Sequence, residues 1–455
     1  MTSRTSRILV QSLKKRFYGT TAVDASESAS APLVKQGPRV TKLPNGLTVA
    51  SIENYSPISH VAVIVNAGSR MESADDIGVS HALRAAAVLS TADSSSLNLV
   101  RSVQQTGGNI GCTTTREYMI YSSESLRSQA PIGVEALRQI STAPAFKEHE
   151  MASLLAKLKF DVASVMEQPG IKLLEMLHEA AYRNTLGRSL YAPEHLISSY
   201  SSEQLMGFLQ RFYTQGKMAL VGTGVDHEEL VAQGRNFIPF DETDFNMEKA
   251  VYHGGEQRLS TNDNMTHAAV VTEGPSLTSK DLLAVGVLQM IVGTGPYVKY
   301  SENIVGSKLV QGVNAAVSNP FAVSCINANY TDNGLFGFYL VGHPEDMEKG
   351  LRAAFSTFAK ITKNGVTDQE VARGKNQLKA AISMNFENGS NQLLHLAEQA
   401  IGSDKIASYN DLATAVDAIK TTDVTAVAKK VINGKASMAS LGDLSHVPYL
   451  DELTK

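Results

Sequence analysis

Met218-Ala219-Leu220-Val221-Gly222 closes one stretch of the chain, and Met438-Ala439-Ser440-Leu441-Gly442 recurs 220 positions later. Other pairs keep the same order. His60-Val61-Ala62-Val63 is echoed by His267-Ala268-Ala269-Val270, 207 positions on, and Gly108-Asn109 before one strand run matches Val313-Asn314 before another. A helix opening near Glu150 has its counterpart near Glu370, where Thr367 to Glu370 spells a capping box. A preserved order with a slowly drifting offset points to duplication. The sequence therefore divides into two homologous halves, 38–235 and 252–446, joined by an acidic linker at 236–251. Residues 1–37 form a leader and 447–455 a tail.

Within the first half, Asn45-Gly46 sits between Arg39–Leu43 and Leu47–Glu53, a strong short-range hairpin signal. Val61–Val65, Tyr118–Ser122 and, in the second half, Phe336–Val341 are short apolar runs suited to strands. The spacing predicts helices over 78–91, 96–106, 148–166, 171–183 and 202–213, the last opened by Ser201-Ser202-Glu203-Gln204. Hairpin-linked strands with long helices give an α+β class, each half a mostly antiparallel sheet with helices packed on one face.

Composition narrows the function. The 455 residues are 43% apolar and carry 41 basic against 45 acidic groups, a net charge of −4. A nucleic-acid binder would show a basic excess. Two cysteines, Cys112 and Cys325, exclude a disulfide framework and a Cys-based zinc site. The longest apolar run, Leu282 to Val292, is too short to span a bilayer. Arg4, Arg7, Lys14, Lys15 and Arg16 precede the first acid, Asp24. Ile8, Leu9, Leu13 and Phe17 share a helical face among them, the pattern of a mitochondrial transit peptide. Without those five cations the body carries a net charge of −9. Residues 24–37, rich in Ser, Ala and Pro, read as a flexible leader.

The chemistry is told by what is missing. His-x-x-Glu-His on a helix sets two imidazoles on one face to share zinc, with the Glu as base toward metal-bound water. Here the frame, after Gly68-Ser69-Arg70-Met71-Glu72 and Gly78-Val79-Ser80, reads His81-Ala82-Leu83-Arg84-Ala85. The second ligand is alanine and the base is arginine. Asp161, 76 residues after Ala85, stands at a plausible third-ligand position, so two donors remain where about three are needed. A guanidinium 4 Å from a divalent cation is repelled by about 4 kcal/mol per unit charge at an effective dielectric near 20. Loss of the base alone lowers a rate roughly 10²- to 10⁴-fold. His81 then reads as a locally hydrogen-bonded helix histidine.

Other histidines give less. His178-Glu179-Ala180-Ala181-Tyr182 and His149-Glu150-Met151-Ala152-Ser153 both lack the second His and are expected on solvated helix faces. His227-Glu228-Glu229 is expected in an exposed loop or helix start. Gly293-Thr294-Gly295 marks a turn without P-loop features, and no Gly-x-Ser-x-Gly elbow occurs. No catalytic, cofactor-binding or metal-ligating residue is assigned.

These residues resemble the M16 metallopeptidase family, whose members are built from repeated α+β halves. The similarity covers about residues 38–446. Leu43-Pro44-Asn45-Gly46-Leu47 is similar to the family's opening hairpin, Gly68-Ser69-Arg70 leading to Gly78 and His81 to its approach to the zinc helix, and Thr115-Arg116-Glu117 to the following strand. Leu177 to Asn184, Tyr252-His253-Gly254-Gly255-Glu256, Gly295-Pro296-Tyr297-Val298-Lys299 and Asn333 to Tyr339 resemble a non-catalytic branch that serves the mitochondrial cytochrome bc1 complex. That resemblance implies a matrix-side structural subunit at the inner membrane, without a cofactor. It would pair with core protein 1, a second M16-like chain, and support the cytochrome b, cytochrome c1 and Rieske subunits of a dimeric complex. The alternative is the non-catalytic alpha subunit of the mitochondrial processing peptidase, whose family pattern has a long glycine-rich loop. Here Gly293 to Gly312 contains only Gly293, Gly295, Gly306 and Gly312.

Overall fold

Two sheets of matching topology organise the chain. The computed structural model describes residues 36–241, 247–295, 307–402 and 406–454. The expected basic leader, with its cleavage region, and the stretch from Pro296 to Lys299 lie outside them, as does Gly306.

The first half contributes β1 (Arg39–Lys42), β2 (Thr48–Ile52), β3 (Ile58–Val65), β4 (Asn109–Thr114), β5 (Met119–Leu126) and β6 (Met218–Thr223). Its helices are α1 (Val79–Ala86), α2 (Ser96–Gln105), α3 (Ala130–Thr142), α4 (Glu148–Met166), α5 (Pro169–Tyr182), α6 (Ser202–Phe212) and α7 (His227–Gly234). The second half contributes β7 (Glu256–Ser260), β8 (Thr266–Gly274), β9 (Ala322–Asn329), β10 (Gly334–Gly342) and β11 (Ala436–Gly442). Its helices are α8 (Leu282–Val292), α9 (Lys308–Asn314), α10 (Met347–Asn364), α11 (Asp368–Glu387), α12 (Gly389–Gly402), α13 (Tyr409–Ala418), α14 (Thr421–Ile432) and α15 (Leu450–Thr454).

Strand order is β1-β2-β6-β3-β5-β4 in one sheet and β7-β11-β8-β10-β9 in the other. β2 and β6 run parallel, as do β7 and β11, and the remaining pairs are antiparallel. Each sheet is therefore mixed, and the second repeats the first without the β1 strand. The β1–β2 hairpin turns at Gly46 with φ +77, a conformation glycine adopts without steric penalty. Asn45 ties that turn to α7, its amide donating to the Gly234 and Phe237 carbonyls at 3.0 and 2.9 Å.

One face of the first sheet packs on its own helices through Val63, Val65, Leu83, Leu137, Leu158, Phe208 and Leu220. The other face takes a helix from the opposite half. Ala50, Ala62, Ile64, Ala219 and Val221 receive Leu393, Leu396, Ala397 and Ala400 of α12. Reciprocally, Ala269, Val271, Ala439 and Leu441 of the second sheet receive Leu173, Leu177 and Ala181 of α5. Alanines on the sheet let each crossing helix sit close, and cover on both faces leaves β6 and β11 buried along their whole length.

Residues 236–251 are tied at both ends. Phe237 is buried in the first core and Phe240 N–H donates to the Tyr213 carbonyl at 2.9 Å. Ala250 and Tyr252 pack against the α5 face. From residue 447 on, the expected tail instead closes the second core through Val447 and Leu453. Among the described residues, no helix is long and apolar enough to cross a membrane.

Candidate functional site

The degenerate helix α1 follows its N-cap Gly78, whose φ of +82 lies in the left-handed region. A methyl there would come within 2.2 Å of the Tyr200 hydroxyl and 2.7 Å of Ala192 Cα, so glycine is required. The Glu72 carboxylate caps the helix by accepting from Gly78 N–H (2.8 Å), Ser80 N–H (2.9 Å) and Ser80 Oγ (2.5 Å). Burial pushes Glu72 up to about 7, while the Ser80 and Gly78 donors pull the other way.

His81 follows on the buried face and is fully enclosed. It is not locally bonded as the sequence suggested. Its Nδ1 accepts the N–H of Ala192, 111 residues away, at 3.2 Å. Among the described residues its Nε2 has no hydrogen-bond partner, and it lies 3.9 Å from Oδ2 of Asp161 on α4. Tyr191 sets its ring against the imidazole, centroids 5.5 Å apart, and the Arg84 guanidinium lies 5.3 Å from the centre of that same ring. Lys157, on the exposed side of α4, donates to the Ala85 carbonyl at 3.2 Å. Burial lowers the His81 pKa to about 3, and the Arg84 and Lys157 charges act in the same direction.

A zinc ion does not fit this set. The structure brings His81 and Asp161 together, but Ala85 offers a methyl group, and Arg84 and Lys157 add positive charge where a divalent cation would sit. Among the described residues, no cluster of three His, Cys, Asp or Glu side chains could hold a metal.

The other histidines differ in part from expectation. His149 is exposed on α4, and its neighbour Glu150 accepts from Ser90 Oγ at 2.6 Å. His178 is not on a solvated face. It is 6% exposed, donates from Nδ1 to the Leu174 carbonyl and accepts at Nε2 from the Tyr330 hydroxyl, both at 2.7 Å. Burial, then the Arg116 charge, lowers its pKa to about 3. His227 does open α7 but is buried, held by Ser51 Oγ and Thr41 Oγ1 at 2.8 Å each. Gly293 and Gly295 form a positive-φ turn after α8, with the Gly293 carbonyl accepting from Cys325 N–H.

Motif residues that carried no role in the sequence meet between the halves. Arg70 donates from Nη1 to Glu117 Oε1 at 2.8 Å and to Asp332 Oδ1 at 2.9 Å, and from Nη2 to Asp332 Oδ2 and the Glu248 carbonyl. Thr331 returns two donors to Glu117, N–H at 3.0 Å and Oγ1 at 2.5 Å. Burial alone would lower the Arg70 pKa; the Asp332 and Glu117 carboxylates outweigh it and hold the guanidinium charged. Nearby, Arg116 donates to Glu175 Oε1 at 2.6 Å, and Leu190 N–H reaches Oε2 at 3.0 Å. Glu117 lies in the β4–β5 turn and Asp332 in the β9–β10 turn, so equivalent hairpins of the two halves face each other across Arg70. Elsewhere, a cleft of about 320 Å³ is lined by Phe386, Leu394, His395 and Leu412, and none of the groups around His81 borders it.

Comparison with known proteins agrees with this geometry. Residues 48–194 match the insulinase (peptidase family M16) model, and residues 199–378 match the peptidase M16 inactive domain. The chain is 36% identical to the mitochondrial cytochrome b-c1 complex subunit 2 of Mus musculus over 96% of its length and 98% of the relative's. Identity to the same subunit of Homo sapiens is 37%, over 93% of this chain and 94% of that one. The mitochondrial-processing peptidase subunit alpha of Solanum tuberosum is similar at 29%, over 91% of this chain and 84% of the relative.

Proposed function

The chain belongs to the insulinase family, peptidase family M16, and from that premise we propose that it is a core subunit of the mitochondrial cytochrome b-c1 complex, supporting electron transfer from ubiquinol to cytochrome c without carrying redox or peptidase chemistry itself. The observation that carries this reading is likeness to subunit 2 of that complex along nearly the whole of both chains. The donor set around His81 supports it: two ligands, no base, and two cations beside them. The charged motif residues act in joining the halves rather than in holding a metal.

In this role the chain sits on the matrix side of the inner membrane, reached by way of its basic leader. It pairs with core protein 1 and contacts the cytochrome b, cytochrome c1 and Rieske subunits of a dimeric complex. The processing-peptidase alpha subunit is the second reading, favoured by relatives at 29% identity over most of the chain. Native-gel separation of mitochondrial membranes with mass spectrometry decides between them. Co-migration with cytochromes b and c1 is the expected result; co-purification with a soluble processing-peptidase beta subunit instead would overturn the proposal. His81→Ala should leave quinol–cytochrome c turnover unchanged.

A further inference from the structure

The bond from Ala192 to His81 does more than place the ring. A backbone N–H can be accepted only by a ring nitrogen that carries no proton. Ala192 N–H reaches Nδ1 at 3.2 Å in a fully enclosed setting, so the neutral ring must hold its proton on Nε2. A ring turned by 180° would set a carbon against the Ala192 N–H and strand a buried donor. A histidine that ligates a metal through Nε2 needs its lone pair there. It almost always donates its other N–H to a carboxylate, a carbonyl or water. Here a donor stands where such an acceptor would be.

The segment bearing that donor is fixed. Ala192 is buried and packs so tightly on Gly78 that no side chain fits between them. Leu190 N–H is held by Glu175 Oε2 at 3.0 Å, Tyr191 N–H by Ser189 Oγ at 3.0 Å, and the Tyr191 ring lies edge-on to His81. The peptide cannot turn its carbonyl toward Nδ1 without giving up these contacts.

We propose that Ala192 is a tautomer lock on His81, a barrier to divalent cations that is independent of the missing ligands. The proton on Nε2 faces the Asp161 carboxylate, 3.9 Å away, and occupies the direction from which a metal would be bound. Restoring the ligand set by R84E/A85H therefore does not restore a zinc site.

Two measurements test this. In the full chain labelled with ¹⁵N-histidine, the His81 signals are assigned by their loss in H81Q. The expected result is a protonated Nε2 and an unprotonated Nδ1; a protonated Nδ1 overturns the lock. This readout needs no folded variant beyond the assignment control and is unaffected if the chain proves to serve another complex. In R84E/A85H dialysed against zinc alone, the metal should remain in the dialysate, and one tightly held zinc per chain would refute the proposal.

Discussion

Arg70 of the first half and Asp332 of the second are joined by a two-pronged ion pair, with Nη1 to Oδ1 at 2.9 Å and Nη2 bonded to Oδ2. The Arg70 side chain is 1% exposed, and its second acid, Glu117, is 5% exposed. Removing one member of such a buried set leaves uncompensated charge, so Arg70→Ala should lower stability by about 3–5 kcal/mol. Asp332→Ala should cost less, because Asp332 is 20% exposed and Arg70 keeps Glu117. Denaturation followed by circular dichroism and by tyrosine fluorescence (the chain has no tryptophan) measures both. A loss below about 1 kcal/mol for Arg70→Ala would place the pair with surface ion pairs and remove its role as a clasp.

The exchange of α5 and α12 between sheets predicts that neither half is independent. Residues 37–241 alone would leave Ala50, Ala62, Ile64 and Val221 without cover, and 247–454 alone would uncover Ala269, Val271 and Leu441. Each piece should bind hydrophobic dye and unfold without cooperativity, whereas co-expressed pieces should recombine. Within the whole chain, Leu177→Ala should destabilise by about 2–5 kcal/mol, since Leu177 is fully buried against the other half's sheet. A cooperative, dye-free isolated first half would contradict this.

Local chemistry made part of this legible. Asn45-Gly46 announced its hairpin, and the α4 pattern over 148–166 matched the helix residue for residue, because both depend on neighbours in sequence. The degenerate motif was legible because ligand spacing is itself a sequence property. What escaped depends on distant partners. Leu173 and Leu177 advertise an apolar face but not which sheet receives it. His178 looked solvated beside Glu179, but it is buried, and its Nε2 accepts from Tyr330, 152 residues away. Arg70 carried no assigned role, because its acids lie 47 and 262 residues off.

Two strand glycines separate crowding from mere flexibility. A methyl on Gly337 in β10 would lie 2.0 Å from the Val270 carbonyl oxygen and 2.6 Å from Val271 Cα, both backbone atoms of the paired strand β8. At Gly111 in β4 the nearest atom would be 3.7 Å away, an ordinary contact. Gly337→Ala should therefore force β8 and β10 apart and abolish soluble folded protein. Gly111→Ala should be tolerated, with a melting temperature close to the parent. Equal yields from the two variants would show that the second sheet can yield at this point.

Stability should rise with pH across the mildly acidic range, with two substitutions changing the slope in opposite senses. His81 and His178 are held neutral by burial, with pKa values lowered to about 3 from an unfolded value of 6.5. Between those limits the unfolded chain binds protons that the folded chain refuses, so each histidine subtracts stability as pH falls, by at most about 1.4 kcal/mol per pH unit. His227, His267 and His395 are lowered too, again chiefly by burial, and add to the same trend. Glu72 acts oppositely. Its pKa is raised to about 7 from 4.5, so the folded chain holds the extra proton, and that contribution is lost as pH rises through 7. His178→Gln should thus flatten the slope between pH 4.5 and 6.5 by about one proton, and Glu72→Gln should steepen it by about one. Both variants also lose hydrogen bonds, but such losses shift the whole curve, whereas the slope reports the proton count alone. Denaturant midpoints at several pH values measure it, and an unchanged slope in His178→Gln would mean that this histidine titrates in the folded chain as it does in the unfolded one.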